Sequence, residues 1–241
     1  MFGTLYTQER KFKKGIKEMR QDLTELVFIL DMSGSMSHLT SDTIGGYNSL
    51  LEEQKKQEGD ALVTTILFDD RYIVLHDRAP LKDVKPLTDK EYRPLGCTAM
   101  LDAVGKTINS VGANLAQTPE EERAGTVMVT IITDGMENAS KEYSWQSVQD
   151  MIKHQREKYN WIFSFIGANI DVQKVSGNLG IDGRLAKCYT ASKAGTDSVY
   201  KAMSNTASLI RGKRRECGAT MSDVAFNSLM DDASATMDKI E

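Results

Sequence analysis

Cysteine is scarce in this 241-residue chain: Cys97, Cys188 and Cys217, an odd number, widely spaced and without a CxxC pair. That argues against a disulfide framework and a thiolate zinc site, and predicts reduced thiols in a cytoplasm. Long apolar runs are also missing. Nothing approaches the ~18 consecutive apolar residues of a membrane span. The stretch MFGTLYTQERKFKKGIKEMRQ has basic residues with no apolar run behind them, so no secretory signal is expected there. Neither sign of charge dominates. Lys and Arg number 30 against 34 Asp and Glu, a formal net charge of -4, which gives no electrostatic ground for nucleic-acid binding. No GxxxxGK[ST] motif exists for a nucleotide-hydrolysing loop. The three histidines, His38, His76 and His154, stand in no evident Ser-His-Asp set.

What is present is ordinary globular material, 40% hydrophobic and 27% charged, arranged as short apolar runs between amphipathic stretches. Leu26 to Leu30 is continuously apolar and ends at Asp31, as a strand buried on both faces does. Ala61 to Phe68, Thr126 to Thr133 and Trp161 to Ile166 read the same way, with a weaker candidate around Ala186 to Tyr189. Tyr72 to Leu75 follows the two-residue turn Asp69-Asp70, so this strand is expected to be short, antiparallel and at an edge. Helical spacing appears at Ile44, Tyr47, Leu50 and Leu51, from Met100 to Leu115, from Trp145 to Ile152, and at Val199, Met203 and Ile210. The alternation predicts an α/β protein with a doubly wound, mostly parallel six-stranded sheet, one antiparallel edge strand, and helices on both faces. The division expected is an N-terminal extension over 1–22, the domain over 23–212, and a C-terminal tail over 213–241. The cluster Arg211, Lys213, Arg214 and Arg215 reads as a solvated helix end. Phe226, Leu229, Met230 and Met237 suggest one marginal, loosely docked helix beyond it.

The chemistry concentrates at Asp31-Met32-Ser33-Gly34-Ser35, directly after the most apolar strand, where ligands of open α/β sheets bind. A carboxylate and two hydroxyls at alternate positions are hard oxygen donors on one tight loop, and these select Mg²⁺, with Mn²⁺ or Ca²⁺ as alternatives. Two further donors stand in suitable places. Asp134 ends the strand Thr126 to Thr133, and Thr98 precedes the helix that starts near Ala99. If these two strands are neighbours, Asp31 and Asp134 repel each other and need a cation. Other polar residues read as structural: Asp69-Asp70 as a solvated turn, His38 as a surface or capping residue, Glu137-Asn138 as shapers of their loop.

With DxSGS at Asp31 to Ser35, Thr98 after a Gly-containing loop and TDG at Thr133 to Gly135, the chain resembles the von Willebrand factor A family from about Glu25 to Ile210. The flavour is that of compact bacterial single-domain members. Cys97 departs from the Gly or Ser common before the Thr. The resemblance implies a Rossmann-like fold and a metal-ion-dependent adhesion site (MIDAS). In that site Ser33, Ser35 and Thr98 bind the metal directly, and Asp31 and Asp134 partly through water. It also implies a binding module, not an enzyme, whose metal grips a Glu or Asp carboxylate of a protein partner. Relatives link such ligation to movement of the last core helix, here around Thr196 to Ile210. The domain is expected to be cytoplasmic and monomeric in isolation, with no nucleic-acid or membrane partner. A metal-dependent phosphohydrolase is the competing reading, but Ser33 stands where its second Asp belongs. A subunit coupled to a separate ATPase is the other alternative.

Overall fold

The computed structural model describes residues 19–217 and 221–238. Six strands form one sheet in the order β3-β2-β1-β4-β5-β6. In chain order they are β1 (Arg20–Asp31), β2 (Asp60–Phe68), β3 (Tyr72–Pro80), β4 (Ala124–Thr133), β5 (Ile162–Gly167) and β6 (Ala186–Cys188). The helices are α1 (Thr40–Lys55), α2 (Met100–Gln117), α3 (Trp145–Tyr159), α4 (Val172–Asn178), α5 (Lys193–Cys217) and α6 (Asp223–Met237). Every strand pairing is parallel except β2 with β3. This is the expected doubly wound α/β sheet. No helix among the described residues is long and apolar enough to cross a membrane.

The period-two alternation of a strand divides the core. Leu26, Phe28 and Leu30 of β1 face one layer with Tyr47, Leu50 and Leu51 of α1 and Val199, Met203 and Ile210 of α5. Val27 and Ile29 face the other, with Met100, Val104 and Ile108 of α2 and Val148 and Ile152 of α3. Covered on both sides, β1 is the centre of the molecule, so its carboxyl end opens at the middle of one rim.

Three differences from the expected layout have physical causes. The edge strand β3 is nine residues long and not confined to Tyr72–Leu75. Its polar half keeps pairing because His76 Nδ1 meets Thr65 Oγ1 at 3.0 Å and Arg78 Nε donates to Glu25 Oε1 at 3.0 Å. β1 likewise begins at Arg20, so residues 20–22 are strand, while the rest of the expected extension, 1–18, lies outside the described residues. Third, only half of the basic cluster is solvated: Lys213 is exposed and Arg215 partly so. α5 continues through 212–213, and both Arg211 and Arg214 are buried. Arg211 donates to Gln54 O and Gly59 O, each at 3.0 Å, carbonyls in the last turn of α1 and the segment that follows it. Arg214 stacks over the Phe226 ring with its guanidinium carbon 5.9 Å from the centroid.

The final helix is part of the core. Leu229, Met230, Ala233 and Met237 of α6 are buried in the same cluster as β1 and α5; 218–220 and 239–241 of the expected tail lie outside the described residues. Leu229→Ala is therefore expected to cost about 3 kcal/mol in urea unfolding, the usual range for a buried leucine. A cost under about 0.5 kcal/mol is what a loosely docked tail would give.

Candidate metal centre

Register brings the two carboxylates together. Leu30 of β1 is paired with Ile132 of β4, so the next residues out, Asp31 and Thr133, are neighbours and Asp134 follows at the rim. Both carboxylates are buried, at 0% and 4% exposure. The chain leaves β1 through a short 3-10 turn, Gly34–Leu39. Ser33 N donates to Asp31 Oδ1 at 2.7 Å, which folds the loop back over its own aspartate. Ser33 Oγ and Ser35 Oγ lie 3.1 Å apart, and Ser35 Oγ donates to Asp134 Oδ1 at 2.5 Å.

Thr98 reaches the same point from a third loop. Gly34 N donates to Gly96 O at 3.1 Å, Leu95 N to Met32 O at 2.9 Å and Ala99 N to Asp69 O at 2.9 Å, so this loop is strapped between the metal-loop candidate and the β2–β3 turn. Gly96 has φ +75, and a Cβ there would stand 2.1 Å from Asp70 Oδ1; the sharp return of the chain requires glycine. A Cβ placed on Gly135 would stand 2.9 Å from Thr98 Oγ1, 3.3 Å from Ser35 Oγ and 3.7 Å from Asp31 Oδ2. Oxygens from three loops thus surround one small space that only a glycine leaves open. Asp31, Ser33, Ser35, Thr98 and Asp134 are all brought to it.

Other residues hold these five in place, and the sequence had marked some of them only as neighbours. Thr133 Oγ1 donates to Asp31 Oδ2 at 2.5 Å, which fixes the carboxylate's rotation. Tyr92, fully buried, donates its hydroxyl to Asp31 O at 2.6 Å. Asn138 Oδ1 accepts from Thr98 N at 2.9 Å. Glu137 accepts from Leu101 N at 2.9 Å and from Ala139 N and Ser140 N, capping a helix, α2, that has no side-chain cap of its own. Thr133 was legible as part of TDG; nothing in the sequence marked Tyr92. The remaining candidates have structural partners. Asp69 is buried against the Arg71 guanidinium, while Asp70 is exposed. His38 bonds the Ser35 carbonyl through Nδ1 at 2.8 Å.

The donor set fits a hard divalent cation. Asp134 Oδ2 is buried with no hydrogen-bond partner, an uncompensated carboxylate oxygen beside a second carboxylate. Among the described residues no group of three His, Cys, Asp or Glu side chains is arranged to hold a metal ion; here two carboxylates are completed by three hydroxyls, an oxygen-only set. Burial pushes the Asp31 carboxyl up to about 6, against the bonds from Thr133 and Ser33 that favour its charged form, and the Asp134 charge adds to the rise.

Because the folded carboxyl titrates above the ordinary value of 3.8, the unfolded chain releases this proton first. The group opposes folding increasingly as pH rises from about 4 to about 6, and fully above 6, by roughly 3 kcal/mol for a two-unit shift. In EDTA, wild type is expected to lose stability across that window relative to Asp31→Asn. Mg²⁺ at 100 times its Kd is expected to add back about 2.7 kcal/mol above pH 6 and progressively less below it. A metal effect on urea midpoints that is equal at pH 4.5 and 7.5 would overturn this account.

No family model matches the sequence, and no curated protein matches it. Solved structures do match. Proximal thread matrix protein 1 from the mussel byssus aligns with a TM-score of 0.53 at 16% identity, over 77% of this chain and 46% of that one. A further structure of that protein is described as having a zinc-occupied MIDAS motif. A von Willebrand factor type A protein from Catenulispora acidiphila gives 0.52 at 12% identity, over 80% and 43%. The manganese-loaded TRAP protein of Plasmodium vivax gives 0.51 at 16%, over 74% and 72%. This chain spans less than half the length of the first two. At these identities the likeness is one of fold, and the fold is that of a von Willebrand factor A-type domain.

Proposed function

We propose that this domain is a metal-dependent protein-interaction module, not an enzyme, and that its site takes a Glu or Asp carboxylate from a partner. The observation that carries this reading is the convergence of Asp31, Ser33, Ser35, Thr98 and Asp134 on one rim space, with Asp134 Oδ2 left without a partner. A bound divalent cation supplies positive charge and an open coordination position for an exogenous carboxylate. The three hydroxyls are proposed as direct donors, and the two carboxylates balance the charge, in part through water. Oxygen donors favour Mg²⁺, with Mn²⁺ or Ca²⁺ as alternatives; the neighbours' manganese and zinc support a divalent ion in general.

Two features favour binding over phosphate-ester hydrolysis. The residue two beyond Asp31 is a serine, so no second acid is placed for proton transfer, and His38 is spent on a backbone carbonyl and not on a hydroxyl. The rim is also suited to a protein. Leu95 and Met136, 68% and 70% exposed, stand on the two loops that carry Thr98 and Asp134. In the proposed interface they would supply apolar contact area beside the cation. The three cysteines are free and exposed, which suits a reducing compartment, and we place the protein in the cytoplasm.

Thr98→Ala and Ser35→Ala are expected to lower Mg²⁺ affinity by about tenfold or more, roughly 1.4 kcal/mol, with far-UV circular dichroism unchanged, because neither hydroxyl fills the core. Affinity capture in Mg²⁺ should recover a partner that is lost in EDTA and with Asp31→Ala. One partner Glu→Gln or Asp→Asn change should reproduce the EDTA result. Equal capture in EDTA would sink the metal bridge and leave the fold assignment standing.

A further inference from the structure

The loop that carries Ser33 and Ser35 runs into an open groove of about 590 Å³ between the start of α1 and the segment around Leu87. Ser37, His38, Ile44, Gly45, Leu87 and Thr88 line it. Its far wall is fixed: Asn48 Nδ2 donates to Leu87 O at 2.9 Å, and Asn48 Oδ1 accepts from Leu87 N at 2.8 Å. The polar groups at the near rim are engaged within the turn. Ser37 Oγ donates to Gly34 O, Thr40 Oγ1 to Ser37 O, and His38 Nδ1 bonds Ser35 O. Beside the exposed Ser41 and Asp89, the groove offers a visitor the half-buried Ile44 and the bare backbone at Gly45.

Among the described residues, nothing packs on Gly45 that would require a glycine. It lies in the interior of α1, has no positive φ, and a Cβ on it would meet nothing within 4 Å. The next residue is the opposite case: a Cβ on Gly46 would stand 2.3 Å from the Tyr200 ring, so packing requires that glycine. Glycine inside a helix is less stable than alanine, and at Gly45 no contact among the described residues offsets this. Open helical glycines also occur at Gly177 and Gly212. Gly45 differs in forming the floor of a groove that begins two residues from a proposed metal ligand. A helix face without a Cβ permits close approach by another chain.

We infer that this groove receives a bulky apolar side chain of the same partner that supplies the carboxylate, so that recognition needs an acidic and an apolar residue at a fixed spacing. The inference rests on the carboxylate reading above. Charge assigns the two residues. The acid goes to the cation. Asp89 in the groove's lining disfavours a second acid there, and the Ile44 surface takes an aliphatic or aromatic side chain. Gly45 is then a specificity-determining position, and its bare backbone is what lets the partner side chain lie against α1.

The test is selection of a random peptide library on the Mg²⁺-loaded full chain, repeated with Gly45→Gln and in EDTA. Glutamine favours helix and fills the groove from its floor, so the melting midpoint should rise by a few degrees, with Mg²⁺ affinity unchanged. On wild type, peptides with one Asp or Glu and one of Leu, Ile, Met or Phe at a fixed spacing should be enriched. On Gly45→Gln the acid should remain and the apolar preference vanish, with wild-type-selected peptides binding at least tenfold more weakly. Gly45→Ala should show the same trend, smaller. Enrichment of the acid alone on wild type, or an unchanged pair on Gly45→Gln, overturns the groove and leaves the metal bridge intact. Enrichment without any acid, or unaltered by EDTA, overturns the carboxylate reading and this inference with it.

Discussion

Asp31 and Asp134 end two adjacent parallel strands, and both are buried. Two carboxylates in that position lose hydration and repel each other, and in the absence of a cation one is expected to hold a proton or the fold to bear the strain. Much of the rim is organised around that conflict. Thr133 and the Ser33 amide each direct a hydrogen bond at Asp31, and Ser35 directs one at Asp134. The bonds at Asp31 favour its ionised form without neutralising it, as the proposed cation site would require. Three loops are tied to one another through main-chain bonds at Gly34, Leu95 and Ala99, so the hydroxyls are held ready and not recruited from flexible segments. Pre-organisation of this kind lowers the ordering cost of binding.

The sheet was legible, and so was the convergence of Asp31, Ser33, Ser35, Thr98 and Asp134 at its rim, because their signals are local and redundant. Continuous apolar runs ending in Asp or Asp-Gly state both burial on two faces and the side of the sheet where the chain turns. What stayed hidden depends on partners far along the chain. β1 starts six residues before its apolar run because Glu25, with 0% exposure, is matched by Arg78 on β3, a pair separated by 53 positions. No window of sequence shows that a buried glutamate has its guanidinium waiting. Arg211 and Arg214 were misread for the same reason: four basic residues in a row of five suggest water, and only the carbonyls of Gln54 and Gly59, more than 150 positions away, explain why Arg211 turns inward. Tyr92 is a further case, an aromatic in a loop whose hydroxyl ends beneath Asp31.

A pattern common to these misses is that polar side chains close the ends of apolar elements. Helix α2 has no cap of its own and is capped by Glu137 from the loop after β4. Asp102, within the first turn of α2, in return accepts from the amides of Lys141, Glu142 and Tyr143. The loop that carries Asp134 and the helix that follows Thr98 therefore hold each other, and a change at the proposed metal ligands would be transmitted first to this pair.

Transmission further, to a sliding α5, meets a larger opposing energy. Gln54, on α1, donates to Ser204 O at 2.9 Å, and Arg211 donates to Gln54 O, Gln54 Oε1 and Gly59 O at 3.0 Å each. Gln54, Ser204 and Arg211 are all buried. Displacing α5 along its axis breaks these bonds together and leaves buried donors and acceptors unsatisfied, at about 1–3 kcal/mol for each group. Coupling free energies between two ligand sites are about 1–3 kcal/mol in total. Ligation at Thr98 does not outweigh four such bonds unless the displaced helix remakes them, and the carbonyls of Gln54 and Gly59 are fixed by α1 and its turn, which do not travel with it. The closure above Asp31 is likewise anchored from below: Tyr92 bonds the Asp31 carbonyl, and the Tyr200 ring on α5 fills the notch left by Gly46. The balance favours a rim with a locked frame, in which the proposed binding would draw its specificity from the loops and the first turns of α1 and not from a change of state in the helix behind them.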